Sequence, residues 1–385
     1  MLSSEVNFGN SSAQIVVCSQ VLLLQCQEIC GLLRAFWGQD SKITLCTEGR
    51  VMEVKQNDSL TDHQIFGLAQ QALLRYPPAL QGELSLICRS ENATFLLKTP
   101  SQRYALRLHR ADYHQKADIL SELMWLDALR DSGIEVPRAM ADSDGETVQT
   151  VVSEDGSVRH VVIFEWMAGE MPTSDVDPVA FRALGEVTAR LHQHSRHWQR
   201  PQGFQRIIWD HHTMLGDNGH WGRWQDAPKL AESDHPLIRQ AISKINRRLA
   251  EYGQQPDRYG LIHADLRLTN LLHHQGETRI IDFDDCGFGW YMHDLAAAVS
   301  FCEHHPRAAE WIDNWLTGYE RVAHINDADR AIIPDMLMQR RLQLSAWMGS
   351  HANTEMAQSV EANWSADTVR LSRRYLETDH WPVGA

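Results

Sequence analysis

The chain has 385 residues, 43% hydrophobic and 22% charged, a composition typical of a globular protein of one or two domains. This composition excludes a collagen-like repeat, a disordered acidic tail and a small disulfide-rich domain. The net charge of −14 argues against nucleic acid and anionic membranes as partners, because phosphate binding requires a surplus of Lys and Arg. Seven cysteines with no C-x-x-C pair indicate a reduced, cytoplasmic protein.

The first 51 residues differ in pattern from the rest of the chain. Their apolar stretch, residues 15–37, is interrupted by polar and charged side chains, so we expect no transmembrane helix. No basic residue precedes it, which argues against a secretory signal. We expect residues 1–51 to be an extension, either a mis-assigned start upstream of Met52 or an N-terminal helix packed on the core.

Residues 52–167 are predicted to form a β-rich lobe. Thr61 is suited to cap a helix that extends to Tyr76, in which apolar residues recur at helical spacing. The predicted strands comprise residues 84–88, 93–98, 104–109, 147–152 and 160–164. Between the third and fourth strands, a helical pattern begins near Ile119 and ends before Gly133.

Residues 168–385 are predicted to be mainly helical. The clearest helices are residues 178–194, residues 236–252 and several segments after residue 294. A β-rich part followed by a helical part, joined by a short connector, predicts an α+β protein of two lobes with a cleft between them.

The segment of residues 260–297 contains the motifs that indicate an enzymatic function. It reads G-L-I-H-A-D-L-R-L-T-N-L-L, then R-I-I-D-F-D-D, then H-D-L-A-A-A. Asp265 precedes Asn270 by five residues, and Asp282 follows an apolar pair after a predicted hairpin that turns at Gly276. Phosphoryl transfer needs such a set, namely a carboxylate for the hydroxyl proton and an amide and a carboxylate that hold Mg²⁺.

This segment resembles the catalytic core of the aminoglycoside phosphotransferase and choline kinase-like superfamily, which has the protein-kinase-like fold. The family pattern is H-G-D-x-x-x-x-N, then I-D-(F/W), then D-L-A, and the resemblance covers roughly residues 80 to 320. It implies Asp265 as catalytic base, Asn270 and Asp282 as Mg²⁺ ligands, and Asp294 as a carboxylate that steadies the catalytic loop. It also implies a small N-terminal lobe and a larger helical C-terminal lobe.

The resemblance also implies a nucleotide site in the β-rich lobe. Protein kinases use a Lys on the third strand, paired with a helix Glu, to hold the ATP phosphates. Here Arg107 and Glu122 occupy these places, and the planar guanidinium can bind phosphate oxygens bidentately. The turn after the first strand lacks glycine, so Ser90 and the backbone near Asn92 are the candidates there.

The connector of residues 164–167 matches the kinase hinge in position. Its backbone groups, including those of Glu165 and Met167, would bind the adenine edge irrespective of side chain. The resemblance therefore implies ATP and Mg²⁺ as cofactors.

Arg267 lies two residues after Asp265, where Ser/Thr protein kinases carry a Lys that touches the γ-phosphate. A cation there would stabilise charge that develops on the transferred phosphoryl group. The alternative is a salt bridge within the acidic loop. We expect His263 to be a structural hydrogen-bonding residue behind the loop.

Three residues are candidates for the acceptor site. Asp285 and Glu303 are surplus to the Mg²⁺ set, and related small-molecule kinases bind amine-bearing alcohols through carboxylates of the helical lobe. Trp209 begins a Trp- and His-rich segment that would form an aromatic wall for an ammonium group, with an ordinary core role as the alternative.

The predicted function is ATP- and Mg²⁺-dependent phosphoryl transfer to a hydroxyl of a small, amine-bearing metabolite or aminoglycoside-like acceptor. One alternative is a bacterial Ser/Thr protein kinase of the stress-response type, which the lack of an activation segment between Asp282 and Asp294 disfavours. The other is a non-catalytic pseudokinase, which the presence of Asp265, Asn270 and Asp282 disfavours. The sequence leaves the oligomeric state and the choice between ATP and GTP open.

Overall fold

The computed structural model describes residues 60–89, 91–172, 178–352, 354–360, 362–378 and 380–384. The predicted extension, residues 1–51, and the phosphate-site candidate Ser90 lie outside these ranges. No helix in the described part of the chain is both long enough and apolar enough to cross a membrane.

The N-terminal lobe is a five-stranded antiparallel sheet with a helix on each face. Its elements are α1 (Asp62–Leu73), β1 (Glu83–Arg89), β2 (Ala93–Lys98), β3 (Arg103–Leu108), α2 (Lys116–Asp131), β4 (Gln149–Val152) and β5 (Val158–Glu165). The strand order is β1-β2-β3-β5-β4. The predicted strands therefore all form, each within two residues of its expected bounds.

Alternation along β3 places Arg107 on the cleft side of the sheet. Tyr104, Leu106 and Leu108 belong to the core that the sheet forms with α1. Successive side chains of a strand point to opposite faces, so Arg107 projects away from that core. In the ladder it lies between Thr94 of β2 and Val162 of β5.

α1 begins with the cap that the sequence predicts. The Thr61 side chain accepts a hydrogen bond from the Gln64 backbone N–H (3.3 Å), and the Gln64 side chain accepts one from the Thr61 backbone N–H (2.9 Å). This reciprocal pairing satisfies two N–H groups that the helix leaves unbonded. The buried face of α1 packs onto the sheet, so the helix is part of the N-terminal lobe.

The C-terminal lobe consists of eight helices and two small hairpin-like sheets within the described residues. Its first elements are α3 (Pro178–His197), α4 (His211–Leu215), α5 (His235–Tyr252), β6 (Tyr259–Ile262), β7 (Leu271–His274), β8 (Glu277–Ile280) and β9 (Gly287–Trp290). They are followed by α6 (Tyr291–Ala298), α7 (Ala308–Tyr319), α8 (Asp327–Ser350), α9 (Glu355–Val360) and α10 (Trp364–Glu377). β6 pairs with β9, and β7 pairs with β8.

The hairpin of β7 and β8 brings two distant motif segments together. Gln275 and Gly276 both have positive φ (52° and 86°), as the tight two-residue turn of a hairpin requires. At the open end, the Ile281 N–H donates to the carbonyl oxygen of Asn270 (3.0 Å). Asn270 and the residue before Asp282 are therefore backbone neighbours, although they are eleven positions apart in the chain.

Candidate active site

The catalytic loop is fixed from behind by one buried carboxylate. Asp294, at the start of α6, accepts hydrogen bonds from the backbone N–H groups of His263 (3.2 Å) and Ala264 (2.8 Å). Ala264 has a φ of 68°, a conformation that costs energy for any residue with a Cβ, and these bonds help to hold it. On its other side Asp294 contacts His192 Nε2 of α3 (2.9 Å). The carboxylate thus steadies the loop as the resemblance implies.

We expect Asp294→Ala to lower the free energy of unfolding by about 3 kcal/mol or more, because it leaves the two loop N–H groups and His192 without their buried acceptor. Urea unfolding followed by circular dichroism measures this loss. Glu310→Ala, which removes an exposed carboxylate paired with Arg307, is the control and should leave the unfolding midpoint close to that of wild type. A loss for Asp294→Ala as small as the control's would contradict the role.

Asp265 lies on this loop between β6 and β7, with a cation on each carboxylate oxygen. Arg340 of α8 donates from Nη2 to Oδ1 (2.6 Å), and Arg267 lies 3.3 Å from Oδ2. Asn270 donates from Nδ2 to the Asp265 backbone oxygen (2.8 Å). Both roles considered for Arg267 are compatible with this geometry, since it forms the salt bridge and lies beside the predicted catalytic base.

Asn270 and Asp282 line the same cavity, and their chemistry fits a hard divalent cation. Because the amide nitrogen of Asn270 is bonded to the loop, its Oδ1 is the atom left for a ligand. Burial, and then the nearby carboxylates of Asp284 and Asp265, raise the pKa of Asp282 to about 8. The described ranges contain no group of three or more His, Cys, Asp or Glu side chains that could hold a metal ion by itself.

The cavity lies between the two lobes, and Arg107, the phosphate-site candidate, lines it. Arg107 donates to Glu122 Oε1 of α2 (2.6 Å), and both side chains are buried. Burial alone would lower the pKa of Arg107, but the carboxylates of Glu122 and Asp284 outweigh it and keep the guanidinium charged. The cavity is lined by Ile87, Thr94, Ala105, Arg107, Glu122, Leu126, Pro137, residues 164–167, Asn270, Leu272 and residues 281–283.

The predicted hinge forms one wall of this cavity. Glu165 ends β5, and Trp166 and Met167 follow it along the opening. The backbone N–H of Glu165 is already hydrogen-bonded, because it donates to the Arg138 carbonyl oxygen (2.8 Å). The hinge candidates therefore lie in the same cavity as the metal and phosphate candidates.

Asn92 does not face the cavity but joins the lobes. Its Nδ2 donates to Asp284 Oδ2 (2.8 Å), and its Oδ1 accepts from the Arg110 N–H (3.0 Å). Burial would raise the pKa of Asp284, but its side-chain contact with His109 and the positive charge of Arg107 hold it well below its usual range. A phosphate role for the Asn92 side chain is therefore not supported, because both ends of its amide are engaged.

Asp285 is the acceptor-site candidate that the structure leaves available. Its Oδ1 accepts from the Tyr113 hydroxyl (2.7 Å), and the side chain is half-buried. Burial, and then Asp284 and Asp265, raise the pKa of Asp285 to about 7. Trp221 approaches the same hydroxyl through its indole N–H (3.3 Å). Carboxylate, phenol and indole thus meet beside the catalytic loop.

The structure contradicts the other two acceptor-site predictions. The Glu303 carboxylate is 1% exposed and is bound by Arg341 Nη1 of α8 (2.8 Å), so its charge is neutralised inside the C-terminal lobe. Trp209 is 0% exposed, and its indole N–H donates to the Asp285 backbone oxygen (2.7 Å). Its ring is therefore core, and it supports Asp285 through the backbone.

Sequence reasoning missed Tyr113 and Arg340, whereas Trp221 belongs to the Trp- and His-rich segment that was expected to form an aromatic wall. Tyr113 carries no motif, because tertiary packing alone brings it to Asp285. The sequence does contain a signal for Arg340, because an Arg-Arg pair interrupts the apolar run of α8. An amphipathic surface helix would carry no charged residue on its buried side.

Comparison with known proteins agrees with this geometry. Residues 89–331 match the model of the phosphotransferase enzyme family. A solved microcompartment-associated aminopropanol kinase is 45% identical, with a TM-score of 0.75 over 82% of this chain and 99% of that chain. Amicoumacin kinase of Bacillus subtilis (strain 168) is 24% identical over 68% of this chain and 78% of its own length.

Two further relatives extend the comparison. A homoserine kinase of Polaromonas naphthalenivorans (strain CJ2) is 24% identical over 67% of this chain and 78% of its own length. A solved amicoumacin kinase in complex with AMP-PNP, Ca²⁺ and Ami shares the fold, with a TM-score of 0.65 at 24% identity over 82% of this chain and 93% of that chain. The predicted α+β bilobal fold and kinase class are thereby confirmed, and the chain belongs to the phosphotransferase enzyme family, as a kinase that uses ATP to phosphorylate a hydroxyl group of a small molecule.

Proposed function

We propose that the protein is a Mg²⁺-dependent kinase whose acceptor is a small alcohol bearing a primary amine. The observation that carries the proposal is that Asp285, a carboxylate outside the metal pair with only one hydrogen-bond donor in the described part of the chain, lies near enough to Asp265 for the two charges to influence each other. The 45% identity to an aminopropanol kinase supports this acceptor class.

In the proposed reaction, Asp265 accepts the hydroxyl proton of the acceptor. The alcohol oxygen forms a bond to the γ-phosphorus of ATP, and the bond from that phosphorus to the β,γ-bridging oxygen breaks. The products are the phosphate monoester and ADP, and the proton passes to solvent. Arg267 and Arg107 supply positive charge at the two ends of the phosphate chain.

Asn270 and Asp282 are the residues that would hold Mg²⁺. When bound, the cation would neutralise negative charge on the phosphate groups during transfer. The proposal draws on the raised pKa of Asp282, because a carboxyl group crowded by other carboxylates gains most from a nearby divalent cation.

A primary ammonium fits this acceptor site better than a quaternary one. A quaternary group requires several open aromatic faces, and Trp209 is wholly buried while the Trp221 ring is occupied by the guanidinium of Arg340 (5.0 Å). A primary ammonium needs hydrogen-bond acceptors, which Asp285 offers. We therefore expect an ATP-consumption screen to favour short primary amino alcohols over choline, neutral sugars and hydroxy acids.

Asp285→Asn is expected to raise KM for the amino alcohol by roughly tenfold or more, because a charged hydrogen bond contributes about 1.5–3 kcal/mol. Initial rates should show a much smaller change in KM for ATP. The control Asp313→Asn removes an equal charge from the exposed side of α7 and should change neither constant.

Two results would separate the parts of this proposal. If Asp285→Asn and Asp313→Asn raise KM equally, the acceptor responds to net charge and Asp285 does not bind it. If the screen finds turnover only with sugars or hydroxy acids, the cationic acceptor is excluded and the kinase class is untouched.

A further inference from the structure

We propose that Arg340 is the residue that positions the catalytic base, and that the two arginines on Asp265 have different tasks. The inference rests on the proposed function, in which Asp265 accepts the acceptor proton. Arg340 lies beyond residue 331, where the match to the family model ends, so the family pattern assigns it no role.

Arg340 is built into the protein interior. Its side chain is 1% exposed. Besides the bond to Asp265, Nε donates to Ser300 Oγ (2.9 Å) and Nη1 donates to Gln343 Oε1 (3.2 Å). The Trp221 ring lies 5.0 Å from the guanidinium carbon. With three nitrogens bonded in different directions, the guanidinium plane is fixed, and it fixes Asp265 Oδ1 in turn.

Burying the Arg340 guanidinium is unfavourable unless interactions with its partners offset the loss of its hydration. Desolvation lowers the pKa of Arg340, and the carboxylate of Asp265 is the largest opposing influence. A purely structural helix position would be filled at lower cost by an apolar side chain, as at the neighbouring Met338 and Leu342. The charge is therefore explained by the carboxylate that it holds.

Arg267 contacts Asp265 at longer range than Arg340 does. Its side chain is 17% exposed, both of its contacts with Asp265 Oδ2 are 3.3 Å, and its guanidinium also lies 5.5 Å from the Phe301 ring. Because these contacts are at the long end of the hydrogen-bond range, they are the ones that an incoming phosphate would replace. We assign Arg340 as the permanent partner on Oδ1 and Arg267 as the exchangeable partner on Oδ2, the oxygen that then receives the hydroxyl proton.

A double-mutant cycle tests whether Arg340 acts through Asp265. Arg340→Gln should lower kcat by about 10²-fold, the effect of a misplaced catalytic group, with little change in KM for ATP. In an Asp265→Asn background the same substitution should lower kcat by less than about threefold, because no base remains to be positioned. Equal factors in the two backgrounds would overturn the inference, as would a loss confined to thermal stability.

Chemical rescue gives a second readout that a structural role would not produce. Arg340→Ala leaves a space beside Ser300 and Gln343, and guanidinium at tens of millimolar should restore kcat by roughly tenfold, whereas equal NaCl or urea should not. If neither the Gln nor the Ala variant folds, Arg340→Lys serves in the cycle, with kcat expected between wild type and the base-free enzyme. Failure of guanidinium to restore any activity to a folded Ala variant would count against the inference.

A matched control separates positioning from helix stability. Arg248 of α5 pairs through a 2.7 Å bond with Asp335, which lies on α8 five positions before Arg340. Arg248→Gln should lower the melting temperature and leave kcat unchanged. If Asp265→Asn alone keeps wild-type turnover, Asp265 is not the catalytic base. If Asp265→Asn is inactive but the effects of the two substitutions on kcat simply multiply, only the role of Arg340 is excluded.

Discussion

Asp265→Asn should lower kcat by about 10²- to 10⁴-fold, the range that general-base catalysis contributes, and leave the fold intact. Asn keeps the size of the side chain and still offers Oδ1 to Arg340, so the variant removes the proton acceptor and little else. Coupled measurement of ADP release with a saturating amino alcohol reports the change.

Binding controls make that result interpretable. The affinity for a non-hydrolysable ATP analogue should change by less than about threefold, because Asp265 is not among the residues that line the nucleotide cavity. The melting temperature should stay close to that of wild type. A variant that retains most of its turnover would remove Asp265 from the base role, while a loss of nucleotide affinity would indicate a disturbed cleft.

Asp282→Ala should weaken binding of the ATP analogue in the presence of Mg²⁺ by roughly 100-fold or more. Even groups that only support a metal ligand contribute 10- to 100-fold in metal affinity, and Asp282 is the one carboxylate of the proposed pair. Isothermal titration with and without Mg²⁺ measures the effect. Without the metal, affinity should be unchanged or improved, since a carboxylate that repels phosphate is gone.

Thermal-shift measurements test the same assignment of Asp282 through the stability of the folded protein. At 100 times its Kd, a ligand that binds only the folded state adds about 2.7 kcal/mol to the free energy of unfolding. Wild-type protein should therefore melt at higher temperature with Mg²⁺ and the analogue, and Asp282→Ala should not, whereas Asp313→Asn should behave as wild type. Equal stabilisation of the Asp282→Ala variant would contradict the assignment of Asp282 to the metal.

Arg340 and Arg341 are neighbours on α8 but contact different parts of the protein. Arg340 reaches the catalytic loop, whereas Arg341 turns to Glu303, Thr368 and the Trp364 carbonyl oxygen in the interior of the C-terminal lobe. The approximately 100° between adjacent helical positions sends the side chains to different surroundings. A helix that carries no family motif thus supplies a side chain that contacts Asp265.

The sequence by itself determined the elements and the motif. Period-two alternation predicted β3, the strand that carries Arg107, and the hairpin around Gly276 predicted that Asn270 and Asp282 lie at the ends of neighbouring elements. These features depend on residues close along the chain, where local backbone preference and spacing determine the outcome. The roles of Asp265, Asn270 and Asp282 and the pairing of Arg107 with Glu122 came from the resemblance to the family, and of these the structure shows the contact between Arg107 and Glu122.

Only the tertiary structure decided which charges remain available to a substrate. Asp285 and Glu303 are equally acidic in the sequence, but Arg341 neutralises Glu303, whereas Asp285 keeps an oxygen with no donor in the described part of the chain. Arg340 is 75 positions from Asp265, and no local pattern encodes that approach. Whether a carboxylate is paired, buried or open depends on partners that packing brings from distant segments, because the strength of a charge is determined by its neighbours and its solvation.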